Sequence, residues 1–364
     1  MLKSPALRIG IVGAGVMAEY HVTGYRKAGA EVVAIADRNP EAGTRFARKM
    51  EIPEVYASLT ELLARCHVDA VSVITPNKFH RELAIEALEH GCHVFCEKPP
   101  ALSAAETMEM KLAAERNGKL LSFNFNNRAR EESRAVMDYI RSGEMGRINS
   151  AQAVWMRRSG IPGFGGWFTS KSLSGGGPLI DLLHMMDLAL YFMGYPEPEW
   201  VLAQTFDDFI SNRNFKGVWG IPDGENGVTD VENACHAFLR FRSGQVLFVR
   251  SSWAEMIERE EIYVSLQGSR AGALIRRRFD RDGVDLTSRD DTRLFTCEHG
   301  RQVNRNIILP KDEMMGRIDS IGNFVNAIRG EEPALVTPDE AVSLMRIIDG
   351  IYRSAREGAP VRFD

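Results

Sequence analysis

Long apolar runs are missing from this chain. Its longest apolar stretches are strand-length and interrupted, so no segment reads as a bilayer span. Blocks of one charge are missing too. Lys and Arg number 45 against 49 Asp and Glu, and both signs are spread along the sequence. That excludes a basic surface for nucleic acid or an anionic membrane. Cysteine is scarce: Cys66, Cys92, Cys96, Cys235 and Cys297 are odd in number and irregular in spacing. A disulfide framework is therefore not expected, and a reducing, cytoplasmic location is. Cys92 and Cys96 lie four apart on one face of a strand, which suits small buried hydrophobes better than metal ligands. No metal is expected. The opening Met-Leu-Lys-Ser-Pro leads into a strand pattern without the apolar core of a signal peptide.

What is present is an ordinary globular composition over 364 residues. That length exceeds one ordinary core and implies two domains, divided near 125/126. In the first, Leu7–Val12 is a β-branched run, followed by Gly13-Ala14-Gly15-Val16-Met17-Ala18 and a helical pattern closing at Gly29. Glycines here allow a tight turn and close backbone approach to a pyrophosphate, while the helix supplies N–H groups and a positive dipole end. A second strand ends at Asp37, 22 residues after Gly15, near the spacing of a carboxylate that binds a ribose 2′-hydroxyl. An aspartate there favours NAD over NADP. Arg38 keeps NADP open, since its guanidinium suits adenine or a 2′-phosphate.

Strand and helix signals then alternate to Phe123, implying a parallel, doubly wound sheet. Ligands in such sheets sit beyond the carboxyl ends of the strands. Three strand ends converge there: Gly13, Thr75-Pro76-Asn77, and Glu97-Lys98-Pro99. Asn77 and His80 are expected beside the nicotinamide half. Glu97 is expected to hold Lys98 or contact the ribose. Asn124, Asn126 and Arg128 follow the last strand and are candidates for cofactor or substrate contact.

From residue 126 the pattern changes to strand-like runs joined by short turns such as Ser243-Gly244 and Gly268-Ser269. That predicts a mainly antiparallel sheet with one open face. Arg157 and Trp167 lie in a glycine-rich loop suited to sugar: aromatic faces pack on C–H surfaces and guanidinium groups donate to hydroxyls. Next comes Gly175-Gly-Gly-Pro-Leu-Ile-Asp181-Leu-Leu-His184, leading into an apolar helix. Asp181 and His184, at i and i+3 on a buried helix, are expected to share a face.

Four stretches together resemble the glucose–fructose oxidoreductase/inositol dehydrogenase (Gfo/Idh/MocA) family: the Gly13–Ala18 turn, Thr75-Pro-Asn with His80, Glu97-Lys98-Pro99, and Gly175–Asp181 with His184. The resemblance implies a Rossmann domain over 1–125 and an α+β domain over 126–364 for substrate binding and oligomerisation, with C-terminal helices packing back on the first. It implies a homodimer or homotetramer through the open sheet, and nicotinamide-dependent oxidation of a sugar or cyclitol hydroxyl, or the reverse reduction. The family's catalytic lysine maps to Lys98, its aspartate to Asp181 and its histidine most nearly to His184. That family usually places three residues between the last two, where this chain has two, and the expected histidine position is Met185. In this reading His184 is the general base, Asp181 fixes its tautomer or holds the substrate, and Lys98 stabilises the developing alkoxide. Two alternatives remain: a glycosidase that oxidises its sugar transiently, and a non-catalytic nucleotide-dependent sensor.

Overall fold

The computed structural model describes residues 6–224, 227–279, 287–312 and 314–363. They fall into two compact units, 1–129 with 314–345, and 130–313 with 346–364.

The first unit alternates strand and helix: β1 Arg8–Val12, α1 Ala18–Lys27, β2 Glu31–Ala36, α2 Pro40–Met50, β3 Glu54–Tyr56, α3 Leu59–Arg65, β4 Ala70–Val73, α4 His80–Glu89, β5 His93–Cys96, α5 Ala104–Asn117 and β6 Leu121–Phe123. All pairs are parallel, in the order β3-β2-β1-β4-β5-β6. The order reverses between β1 and β4, the point at which such sheets bind ligands. Side chains set the helix starts. Asn39 accepts from the backbone N–H groups of Glu41 and Ala42, and Ser58 and Ser103 cap α3 and α5. The central strands are apolar on both faces, as a sheet covered by helices requires. Ile9, Ile11, Val22, Tyr25, Ile35 and Phe95 form its core, joined by Ile321 and Phe324 from later in the chain.

The second unit runs α6 Glu131–Arg141, β7 Ile148–Met156, α7 Lys171–Ser174, α8 Pro178–Asp181, α9 His184–Met193, β8 Pro198–Phe206, β9 Ala234–Phe241, β10 Val246–Ser252, β11 Glu261–Gly268, β12 Gly272–Phe279, β13 Thr287–Glu298 and β14 Arg301–Ile307. Helix α10 Arg317–Arg329 belongs to the first unit, and α11 Pro338–Glu357 and β15 Val361–Arg362 complete the chain. The sheet order is β14-β13-β12-β11-β7-β10-β9-β8-β15. Every pair is antiparallel except β7 with β10. The nearly all-buried α9 covers one face at β7 and β11. The other face leaves Leu202 and Phe248 exposed.

The expected mainly antiparallel sheet is thus mixed by one parallel pair. The single helix expected from Asp181 is instead two, broken at Leu182–Leu183: Asp181 ends α8 and His184 begins α9. Strands β13 and β14 were not expected, because their sequences are polar and lack an apolar alternation. Neighbouring strands recruit them through backbone hydrogen bonds.

Gly24 lies within α1, where glycine costs about 1 kcal/mol against alanine. The reason is α10: a Cβ at position 24 would lie 2.9 Å from three atoms of Ile321. Gly24→Val should therefore lower unfolding free energy by roughly 1–3 kcal/mol through overpacking. Urea unfolding checks this, and an unchanged midpoint would contradict it.

Candidate active site

The turn after β1 is shaped to admit a ligand. Gly13 has φ +101°, and a Cβ there would lie 2.2 Å from the carbonyl oxygen of Ile74. Only glycine fits. A Cβ on Gly15 would meet nothing within 4 Å, and Val16 beside it is 83% exposed. Met17 is the N-cap residue of α1 and makes no side-chain cap, and Ala18 N donates back to Gly15 O at 3.0 Å within the turn. Asp37 stands at the end of β2, accepting from Ala14 N and Asn39 N at 2.8 Å each and remaining part exposed. It keeps lone pairs for a sugar hydroxyl. The exposed Arg38 holds its guanidinium 5.7 Å from the Phe79 ring centre. Across from Gly13, the Thr75 hydroxyl is buried with no hydrogen-bond partner among the described residues. A turn cleared of Cβ atoms, a ribose-height carboxylate and an orphaned hydroxyl fit a dinucleotide. Asn77 is buried in the one-turn helix before α4.

The next strand ends are locked by buried polar groups. His80 is fully buried, with Nδ1 2.7 Å from Pro99 O and Nε2 2.8 Å from Thr75 O. Burial lowers its pKa. His80 thus ties the segment after β4 to the segment after β5. Glu97, 7% exposed, also turns inward. Its Oε1 lies 2.8 Å from His21 Nε2 and accepts from Asn124 Nδ2 at 2.7 Å, and its Oε2 accepts from Lys98 N at 3.1 Å. Burial opposes its charge, but His21, Asn124 and Lys98 outweigh that and hold the carboxyl at about 2. It holds Lys98 through the backbone. The Lys98–Pro99 bond is cis. Asn126 donates its amide to Met315 O at 2.6 Å. Arg128, 1% exposed, donates to Leu335 O and Glu340 Oε2. These last two anchor residues 315–340 inside the first unit.

In the second unit the glycine run is a packing device. A Cβ on Gly176 would lie 1.9 Å from the Tyr352 hydroxyl, and one on Gly177 2.2 Å from Glu232 O. The buried Glu232 side chain accepts from Gly177 N and Leu179 N, and from Tyr352 OH at 2.8 Å. That pins α8. Asp181, its last residue, accepts at Oδ2 from the indole N–H of the fully buried Trp253 at 3.0 Å. His184 lies beside Trp155, ring centres 6.2 Å apart. Arg157 is 4% exposed, 3.2 Å from Glu260 Oε1, with the Trp219 ring 4.4 Å away. Its Nε and Nη1 are buried without a hydrogen-bond partner among the described residues. Trp167 is half-buried and stacked on Phe168 at 3.8 Å.

His21, Ser72, Glu232, Trp253 and Tyr352 were not singled out from the sequence. Ser72 carried a signal: a hydroxyl within the apolar run of β4 must find a partner. No group of His, Cys, Asp and Glu is placed to hold a metal ion, and no helix is long and apolar enough to cross a membrane, among the described residues. All five cysteines are free.

Comparison with known proteins follows this geometry. Residues 7–125 match a model described as an oxidoreductase family with an NAD-binding Rossmann fold, and residues 138–363 match that family's C-terminal α/β domain. D-glucoside 3-dehydrogenase of Escherichia coli (strain K12) is 30% identical over 99% of this chain and 98% of its own. The 1,5-anhydro-D-fructose reductase of Ensifer adhaerens is 34% identical over 66% of this chain and 67% of its own. A solved levoglucosan dehydrogenase in complex with NADH shares the fold at a TM-score of 0.82 and 22% identity, over 99% of this chain and 100% of that one. With both halves matched and a full-length relative at this identity, the chain belongs to the Gfo/Idh/MocA oxidoreductase family and carries its NAD-binding Rossmann domain.

Proposed function

We propose that this chain is an NAD-dependent dehydrogenase of a glucoside or related sugar, acting at a secondary carbinol carbon. The observation that carries this reading is 30% identity to a D-glucoside 3-dehydrogenase over nearly the full length of both chains. A lysine at the end of a central parallel strand supports it. NAD, when bound, supplies the hydride acceptor. The turn with Gly13, Gly15, Val16 and Met17 would hold its pyrophosphate, Asp37 its adenosine ribose, and Thr75 and Asn77 would border the nicotinamide half. Asp37 disfavours a 2′-phosphate.

Lys98 Nζ donates to the substrate oxygen and stabilises the negative charge that grows as the hydroxyl proton leaves. His184 takes that proton at a ring nitrogen. Asp181, steadied at Oδ2 by Trp253, holds the reacting hydroxyl or the imidazolium formed. Trp167 presents an aromatic face to sugar C–H groups. The break between α8 and α9 makes His184 the first residue of α9 in place of the fourth residue of a helix opened by Asp181.

The open sheet face is proposed as the contact between copies of the chain. Trp200, Phe238 and Phe248 form a continuous aromatic row, at 5.4 and 4.8 Å between centres, with exposed Leu202 beside it. A reducing cytoplasm accords with the free thiols.

A panel of methyl glucosides, free sugars and cyclitols with NAD and NADP tests the activity. NADH should appear with a glucoside. Aglycone release without NADH, or tight cofactor binding with no hydride exchange, would overturn the reading. Lys98→Met should lose roughly 10²–10⁴ in kcat while still binding NADH, and full turnover would refute the assignment. Phe248→Glu should lower the mass measured by light scattering, whereas an unchanged mass would count against the sheet contact.

A further inference from the structure

The core of the first unit holds a line of polar groups that hydride transfer does not itself require. Tyr25 donates its hydroxyl to Ser72 Oγ at 3.2 Å. Ser72 Oγ lies 2.7 Å from His21 Nδ1, and His21 Nε2 lies 2.8 Å from Glu97 Oε1. Asn124 Nδ2 and the Lys98 backbone N–H complete the carboxylate's donors. Tyr25, Ser72 and His21 are 0% exposed, Asn124 1% and Glu97 7%. An ionised carboxylate only accepts, so His21 carries a proton on Nε2. Serine, histidine and glutamate in a row resemble a hydrolytic relay, but Ser72 is sealed in a central strand where no substrate reaches it.

We propose that His21 is a positioning residue for Lys98: through Glu97 it fixes the backbone from which the lysine reaches the substrate. This rests on the role assigned to Lys98 above. The connection is short. Helix α1 starts at Ala18, at the dinucleotide turn, and His21 follows three residues later on its buried face. The same helix thus serves the cofactor turn and the base of the lysine.

The groups facing Glu97 are His21 and Tyr25 from α1, Ser72 from β4, His80 from α4, Cys96 and Lys98 along its own strand, and Asn124 after β6. Burial keeps Tyr25 and Cys96 neutral by raising both. His21 contributes both a hydrogen bond and charge to keeping Glu97 ionised. Without His21, burial prevails and the carboxyl takes up a proton at higher pH.

His21→Leu removes the donor. His21→Gln restores it, because the glutamine amide reaches the place of Nε2. We expect H21L to lose about tenfold or more in kcat, with KM for NAD changed less than about twofold, and to gain a second acidic limb in kcat beside the one that protonation of His184 gives the native enzyme. H21Q should recover most of kcat and lose that limb. In a K98M background H21L should have no further effect. Native kcat and pH profile in H21L, with K98M inactive, would overturn the positioning role alone; an active K98M would instead overturn the role of Lys98. Nitrogen-15 NMR of the native protein gives a test independent of folding of the variants. The His21 proton should sit on Nε2, and a bare Nε2 would refute the proposal.

Discussion

Glu97 is ionised where almost no water reaches it. A lone buried carboxylate is strongly disfavoured, so its surroundings must supply donors from several directions, and here they do: an imidazole from α1, an amide after β6 and the backbone of the next residue. Each of these donors is fixed to a different part of the first unit. The carboxylate therefore ties the helix after the dinucleotide turn, two central strands and the Lys98 backbone into one arrangement. Removing any donor leaves the others facing an unsatisfied charge, which is more damaging than the loss of one ordinary hydrogen bond.

The second unit uses a buried carboxyl differently. Glu232 is surrounded by neutral donors, the N–H groups of Gly177 and Leu179 and the Tyr352 hydroxyl, with no cation among them. Burial accordingly raises its pKa, where Glu97 is lowered by His21 and Lys98. In both units a glutamate shapes the backbone that precedes or carries a side chain proposed for catalysis. Glu97 does so for Lys98, and Glu232 for α8 and hence Asp181. Gly176 and Gly177 are then explained by contact, since side chains there would collide with Tyr352 and Glu232, and Gly175 by its φ of +87°.

Much of this was legible in the sequence. The parallel sheet follows from apolar strands alternating with capped helices, and Gly13 and Asp37 from their spacing about one βα unit. The position of Lys98 follows from a strand stopped by two prolines. What was not legible came from tertiary pairing. Strands β13 and β14 are polar and form because a neighbour offers its edge. The start of α8, the short helix that ends in Asp181, is pinned by Glu232, 51 residues beyond that aspartate. Arg128, Arg157 and His80 read as ligand contacts because arginine and histidine at strand ends and loops usually meet solvent. Their burial beside distant partners, Glu340, Glu260 and Pro99 O, was not legible.

The central claim is that the first unit keeps a charged glutamate beneath its strand-end lysine. Carbon-13 NMR of carboxyl-labelled glutamate, with Glu97 identified by Glu97→Gln, measures this directly. At pH 4.5, the ordinary midpoint for a glutamate, the Glu97 signal should remain that of a carboxylate, since its own midpoint lies at about 2. A signal already half-way to the protonated form at that pH would contradict the account.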